Sequence, residues 1–108
     1  MESLKEIEDA LNDDPLAIET FKDGAAQLTK EENWEGLEEF YLRQLRRIDD
    51  LEEDEIKYHL WHQLGQIYEL RLEAPAKAKQ AYHVAYSLRS DDEELRDKIL
   101  ALEEQAEG

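Results

Sequence analysis

Apolar residues recur every three or four positions along almost the whole chain, a spacing that places them on one face of an α-helix. Polar or acidic stretches interrupt this pattern at 12–14, 30–33, 49–55, 73–75 and 89–92. The pattern therefore predicts six helices and no strands. The apolar faces of these helices, in chain order, are Leu4, Ile7, Ala10 and Leu11; Ile18, Phe21, Ala25 and Leu28; Trp34, Leu37, Tyr41, Leu45 and Ile48; Ile56, Leu60, Trp61, Leu64, Ile67 and Tyr68; Ala78, Tyr82, Ala85 and Leu88; Leu95, Ile99 and Leu102.

Residues that favour helix starts stand before most of these segments. A Ser or Thr followed three residues later by Glu forms a capping box, and Pro fits the first position of a helix because its missing N–H has no partner there. These rules predict capping boxes at Ser3 and Ser90, side-chain caps at Asp14 and Asn33, and helices that begin at Pro15 and Pro75.

The most informative stretch combines large and small residues in an order that suits two closely packed antiparallel helices. Its members are Trp61, Leu64, Gly65 and Tyr68, followed by Ala78, Tyr82 and Ala85. Gly65 is expected to leave room for a neighbouring backbone, with the small residues Ala78 and Ala85 on the facing helix. The stretch thus predicts a helical hairpin.

This stretch resembles the tetratricopeptide repeat, whose pattern is W-x2-L-G-x2-Y followed by A-x3-F and a later small residue. The resemblance implies an all-α fold in which antiparallel helical hairpins stack as a short α-solenoid of about six helices. It also implies a non-catalytic module that binds a peptide or helix of a partner protein on the concave face of the stack.

Aligned with that pattern, residues 1–108 resemble a single domain. It would comprise a partial repeat helix at 3–14, a degenerate repeat at 15–50, the clear repeat at 53–89 and a capping helix at 90–106. In the degenerate repeat, Phe21, Gly24, Ala25 and Leu28 take the first-helix positions, and Leu37, Tyr41 and Gln44 take the second-helix positions. Phe21 and Trp61 are 40 positions apart, whereas the family repeat is about 34 residues long, so the extra residues form an insertion at 49–55. In this long segment between repeats the chain resembles the divergent repeats of multi-repeat bacterial proteins.

The charge of the chain narrows the class of partner. Thirteen basic and 29 acidic residues give a net charge of −16, which disfavours nucleic acid and anionic membranes and favours a neutral or basic protein partner. No apolar run approaches the length of a membrane span, and residues 1–10 resemble neither a secretory signal nor an anchor. A cytoplasmic protein is expected.

The sequence gives no basis for an enzyme or a cofactor. It contains no nucleophile elbow, no phosphate-binding glycine loop and no metalloprotease motif. His59 and His62, with Glu55 and Glu69 one and two turns away, could share a groove and hold a divalent metal. The E-x-x-H pairs of di-iron bundles are absent, however, so no metal is expected and the histidines are interpreted as groove or surface residues.

The resemblance supplies candidates for partner contacts. In tetratricopeptide domains the concave face is lined by first-helix positions that correspond here to His59, His62, Gln66 and Glu69, joined by Glu19, Lys22 and Thr29 from the degenerate repeat. In members of the family that clamp a peptide's terminal carboxylate, these positions carry Lys and Asn. His62 and Gln66 replace them here, so capture of that kind is not expected.

Three other interpretations remain open. Arg43, Arg46 and Arg47 could bind an acidic motif, although pairing with Glu38, Glu39, Asp49 and Asp50 along the same helix is the simpler expectation. A structural subunit could self-associate or dock in a larger complex through the apolar edges Leu4, Ile7 and Leu11 or Leu95, Ile99 and Leu102. An acidic decoy could occupy a basic protein in place of nucleic acid.

Overall fold

A computed structural model describes residues 3–107, and six α-helices account for most of them. The helices are α1 (Leu4–Asp13), α2 (Ile18–Lys30), α3 (Trp34–Arg47), α4 (Asp54–Leu70), α5 (Pro75–Leu88) and α6 (Glu93–Glu107). No strand occurs between residues 3 and 107. The predicted all-α class with six helices is confirmed.

Three of the predicted helix starts are confirmed. Ser3 caps α1 by accepting the backbone N–H of Glu6, and Asn33 caps α3 by accepting that of Gly36 at 3.0 Å. Pro75 is the first residue of α5. Each of these residues satisfies or avoids an N–H that has no partner inside the helix.

Two predicted starts were wrong. The helix expected at Pro15 begins at Ile18, because Asp14 accepts the N–H of Leu16 and thereby closes a turn around the proline. The capping box expected at Ser90 is not used. Asp92 instead accepts the N–H of Leu95 at 3.1 Å, so α6 begins two residues later than a serine cap would place it.

The chain divides into two compact units, of which one ends at Glu52 and the other begins at Glu53. In the first unit, α2 packs against both α1 and α3. Its core consists of Ile7, Leu11, Phe21, Leu28, Leu37, Phe40, Tyr41, Leu45 and Ile48.

In the second unit, α5 packs against both α4 and α6. Its core consists of Tyr58, Leu60, Leu64, Ile67, Tyr68, Ala78, Ala81, Tyr82, Ala85, Leu95, Ile99 and Leu102. All the packing positions predicted for the clear repeat are buried except Trp61, which is half-buried.

Each unit contains a glycine that admits an aromatic ring. A Cβ added at Gly65 would lie 2.5 Å from Cε1 of Tyr82, and one added at Gly24 would lie 2.4 Å from Cζ of Phe40. The space left by Gly65 is therefore filled by a side chain, whereas we predicted a backbone. The family pattern places Ala25 of the first unit at the position of Gly65. The residue that makes room for the ring there is instead Gly24, and Ala25 is half-buried.

The two hairpins correspond at a separation of 41 positions. This offset relates Gly24 to Gly65, and it relates the two non-glycine residues with positive φ, Glu32 at 55° and Glu73 at 48°, which lie in the turns of the hairpins. It also relates the first residues of α3 and α5. The predicted offset of 40 in the first helix was therefore one residue short, and the structural counterpart of Phe21 is His62 instead of Trp61.

Two of the three clustered arginines form ion pairs between helices of the first unit. Arg43 and Arg47 both pair with Glu8 of α1, the latter at 2.7 Å, and Arg47 also donates to Asn12 at 2.7 Å. Arg43 lies 3.9 Å from Glu39, the only predicted same-helix pairing among these contacts. Pairing with α1, which the sequence analysis did not predict, therefore adds to the pairing along α3.

Candidate partner-binding surface

From His59 to Leu70, one face of α4 is exposed and carries no charged side chain. Its residues follow helical spacing of four, three and four positions, which aligns them on one side of the helix. They are His59, Gln63, Gln66 and Leu70, and together they are called the α4 stripe below. Leu70 is 66% exposed, the most exposed of the large hydrophobic residues.

The rest of the surface contrasts with this stripe. Charged residues are exposed on α1, α2, α3 and α6, for example Lys5, Lys22, Glu35 and Glu94. Between His59 and Leu70 the sequence contains one charged residue, Glu69, although 39% of the chain is charged. Among the described helices, α5 also exposes a face without charge, at Ala76, Gln80, His83 and Ser87, but only the α4 stripe ends in a large hydrophobic residue as exposed as Leu70.

The N-terminal end of the stripe is bordered by a cluster that joins α4 to the α5–α6 connection. Glu55 forms an ion pair with Arg89, whose guanidinium lies 4.2 Å from the centre of the Tyr58 ring. The hydroxyl of Tyr58 donates to Asp92, and this hydrogen bond raises the pKa of Tyr58 and lowers that of Asp92. The cluster holds the start of α6 against α4.

His62 lies at the edge of the stripe, where α4 faces α5. Its ring centre is 5.9 Å from that of Tyr58 and 5.7 Å from that of Tyr82. Partial burial lowers the pKa of His62, because the charged form loses hydration there. The neutral form is therefore favoured at pH 7. The other candidate histidine, His59, is more exposed and lies 3.8 Å from Glu55.

Glu69 was predicted as a partner contact on the concave face, and it also has a structural role within the second unit. It accepts the hydroxyl of Tyr82 at 2.9 Å and pairs with Lys98 of α6 at 3.1 Å. Burial and this hydrogen bond raise the pKa of Tyr82. Glu69 thus connects all three helices of the second unit.

The candidates from the degenerate repeat have a different character. Glu19, Lys22 and Thr29 are exposed on α2, where Lys22 lies 3.6 Å from Glu19 and the hydroxyl of Thr29 donates to the backbone of Ala25. They therefore present an ion pair and a hydroxyl already bonded to its own helix. His59, His62 and Gln66 are together on α4, whereas the α2 residues belong to the other unit.

Two stripe residues, Gln63 and Leu70, were missed by the sequence analysis. It selected contact positions from the family pattern, which does not include them. An available signal was the run of uncharged polar or apolar residues at 59, 63, 66 and 70 within a strongly acidic chain. Helical spacing places that run on one face, opposite the buried residues of α4.

Residues 3–105, whose side chains the structure describes, contain no group of three or more His, Cys, Asp or Glu placed to hold a metal ion. None of the helices in that part of the chain combines the length and apolarity that a membrane span needs. No protein-family model matches the sequence, and the search of curated proteins returned no match.

Proposed function

We propose that this chain is a non-catalytic protein-interaction module of tetratricopeptide-like type, which binds a helix or peptide of a partner protein on the α4 stripe. The observation that carries the proposal is an exposed face of α4 that has no charge and ends in Leu70, the most exposed of the described large hydrophobic residues, in a chain with a net charge of −16. Uncharged and partly apolar surface is costly to leave in water and cheap to desolvate, so it is suited to contact with another protein.

The form of the stripe also supports a helical or extended ligand. From His59 to Leu70 it runs about 16 Å along α4, at about 1.5 Å per residue. Leu70 offers an apolar anchor at one end, and the amide of Gln66 offers donors and an acceptor between. These features suit a partner that places an apolar side chain at one end and polar groups along the rest.

The alternative of a self-associating or docking subunit is supported by little exposed apolar surface. Five of the six residues named for it, Ile7, Leu11, Leu95, Ile99 and Leu102, are buried within their own units, and Leu4 is half-buried. The decoy alternative rests on the net charge alone and predicts affinity that falls steeply with salt.

Peptide selection with matched variants tests the proposal. A random peptide display library is selected on the purified full chain at neutral pH, and the affinity of a recovered peptide is measured by isothermal calorimetry. Gln66→Lys places a charge on the α4 stripe, and Gln80→Lys places the same charge on the exposed face of α5. We expect Gln66→Lys to weaken binding about tenfold or more, since desolvating an unpaired charge costs at least 1.4 kcal/mol.

The control should bind like the parent chain. Equal affinity of the parent and Gln66→Lys would contradict the proposed surface, and loss of binding in Gln80→Lys alone would move it to α5. A steep loss of affinity between low and moderate salt, equal for both variants, would favour the acidic decoy.

A further inference from the structure

The only titratable side chains on and beside the exposed part of the α4 stripe, between His59 and Leu70, are two histidines and the bonded Glu69. His59 is a member of the stripe, and His62 lies one turn further along at its edge. Between His59 and Leu70 the stripe carries no formal charge while these histidines are neutral, and each histidine adds a positive charge when it is protonated.

The groups around the histidines are divided between the helices of the second unit. His59 faces Glu55 and Tyr58 of α4. His62 is packed between Tyr58 and Tyr82. Three charged or titratable groups act on it electrostatically: Asp92, which precedes α6, Lys98 in α6, and His59. Glu55 is shared with Arg89, and Asp92 with Tyr58, so both nearby carboxylates already have partners.

We infer that docking on the α4 stripe is controlled by protons: the surface accepts an uncharged helix stripe flanked by Lys or Arg when His59 and His62 are neutral, and rejects it when they are protonated. This inference rests on the proposed function. Lys or Arg flanks follow from charge complementarity with a chain of net charge −16.

The physical reason is the desolvation of the stripe on binding. In the free chain a protonated histidine keeps water on its exposed side, whereas beneath a docked helix it would be buried next to the partner's uncharged side chains and near its cations. Protonation therefore favours the free state, and affinity falls as pH falls. The burial that lowers the pKa of His62 moves its part of the transition to more acidic pH.

The expected size follows from the fraction of chains that are competent to bind. If only the neutral form of a histidine binds, affinity falls by up to about tenfold for each pH unit below the pKa of that histidine. The fall is larger if both histidines are covered.

The probe is a peptide of about 12 residues, long enough for a helix that spans the stripe, recovered by display on the full chain at pH 7.5. It is chosen to contain no His, Asp or Glu, so that the peptide itself does not titrate. Affinity is measured at pH 7.5 and 5.5 for the parent chain, for the double variant His59→Gln/His62→Gln, and for His83→Gln. His83 is the third histidine of the chain, exposed on α5 and 3.7 Å from Glu103.

The inference predicts a fall of about threefold or more in the parent chain and in His83→Gln, and a change of less than about twofold in the double variant. Equal affinity of the parent chain at both pH values would overturn the inference and leave the proposed function intact. So would a fall that persists in the double variant or disappears in His83→Gln. If no recovered peptide distinguishes the parent chain from Gln66→Lys at pH 7.5, the proposed function itself fails.

Discussion

The hairpins of the two units place aromatic residues at corresponding positions but differ in the chemistry of the contact. In the first unit the Phe21 ring stacks on Phe40 at 4.9 Å and meets Tyr41 edge-on at 5.0 Å. In the second unit His62 takes the place of Phe21 and meets Tyr82 edge-on at 5.7 Å. The same arrangement of two helices therefore holds a buried aromatic cluster in the first unit and, in the second unit, a contact that contains a titratable histidine.

A second corresponding pair differs in the same direction. Leu28, which is buried in the first unit, corresponds to Glu69 in the second, where the carboxylate accepts the Tyr82 hydroxyl and pairs with Lys98. The first unit places its main interhelical ion pairs elsewhere, between Glu8 of α1 and Arg43 and Arg47 of α3.

The difference shows where this fold leaves room for function. The stacked rings of Phe21 and Phe40 are buried in the first unit, as is Leu28, and they stabilise the hairpin by apolar packing. The positions of Phe21 and Leu28 correspond to His62 and Glu69 in the second unit, which bring polar groups to the side of α4 that borders the uncharged stripe. All three histidines of the chain are also in the second unit.

The largest expected effect concerns the buried aromatic cluster of the first unit. Phe40→Ala removes a fully buried ring that fills the space over Gly24, so we expect the first unit to lose about 3–5 kcal/mol of stability. Native-state hydrogen exchange of the amides in α2 and α3 measures this loss, with the amides of α5 as the internal reference. A loss below about 1 kcal/mol would show that Phe40 is not central to the first unit.

The next effect tests the polar contact of the second unit. Glu69→Leu leaves the buried hydroxyl of Tyr82 without its acceptor and should destabilise the second unit by about 1–3 kcal/mol. Tyr82→Phe added to Glu69→Leu removes the unsatisfied hydroxyl. Urea unfolding should therefore show the double variant to be more stable than Glu69→Leu, and strictly additive losses would contradict a direct Tyr82–Glu69 interaction.

A smaller effect tests the close approach that the units share. Gly65→Ala places a Cβ against the buried Tyr82 ring, which costs about 1–3 kcal/mol, while the gain in helix propensity returns about 1 kcal/mol. We expect a net loss of about 1 kcal/mol in thermal or urea unfolding. In Gly36→Ala the Cβ would meet the side chain of Asn33, which caps α3, so a loss of stability in that variant reports the cap and not an aromatic ring. A gain in Gly65→Ala would mean that the ring moves aside freely.

The smallest effect is the pH dependence of stability. The pKa of His62 is lower in the folded chain than in the unfolded chain, so its contribution is present above the unfolded value of about 6.5 and is lost as pH falls below it. Solvent screens a partly buried ring, and a few tenths of a kcal/mol is expected. Unfolding at pH 7.5 and 5.5 should show this difference between the parent chain and His62→Gln; the opposite sign would mean that Asp92 stabilises the protonated ring.

The helices themselves could be predicted from the sequence because apolar periodicity, Asn33 and Pro75 act locally. The predicted start at Pro15 was wrong because Asp14 accepts the N–H of Leu16 in a turn, and the predicted start at Ser90 was wrong because Asp92 caps α6 through the N–H of Leu95. Local sequence does not show which of two adjacent caps is used.

The register between the hairpins was harder to predict. The family pattern aligned Phe21 with Trp61, whereas the contact of Gly24 with Phe40 depends on two helices at once. For the same reason, the pairing of Glu8 with Arg47 over 39 positions was not foreseen. Of the contact residues, those on α4 lie together, but the engagement of Glu69 by Tyr82 and Lys98 required the packed helices.

The most direct test of the α4 stripe as the binding surface is a titration of the isotope-labelled chain with a display-selected peptide, followed by amide and side-chain NMR shifts. Shifts concentrated between His59 and Leu70, including the Gln66 side-chain amide, are predicted, with little change on α2 around Glu19, Lys22 and Thr29. Shifts concentrated on α2, or on the exposed face of α5, would contradict the account.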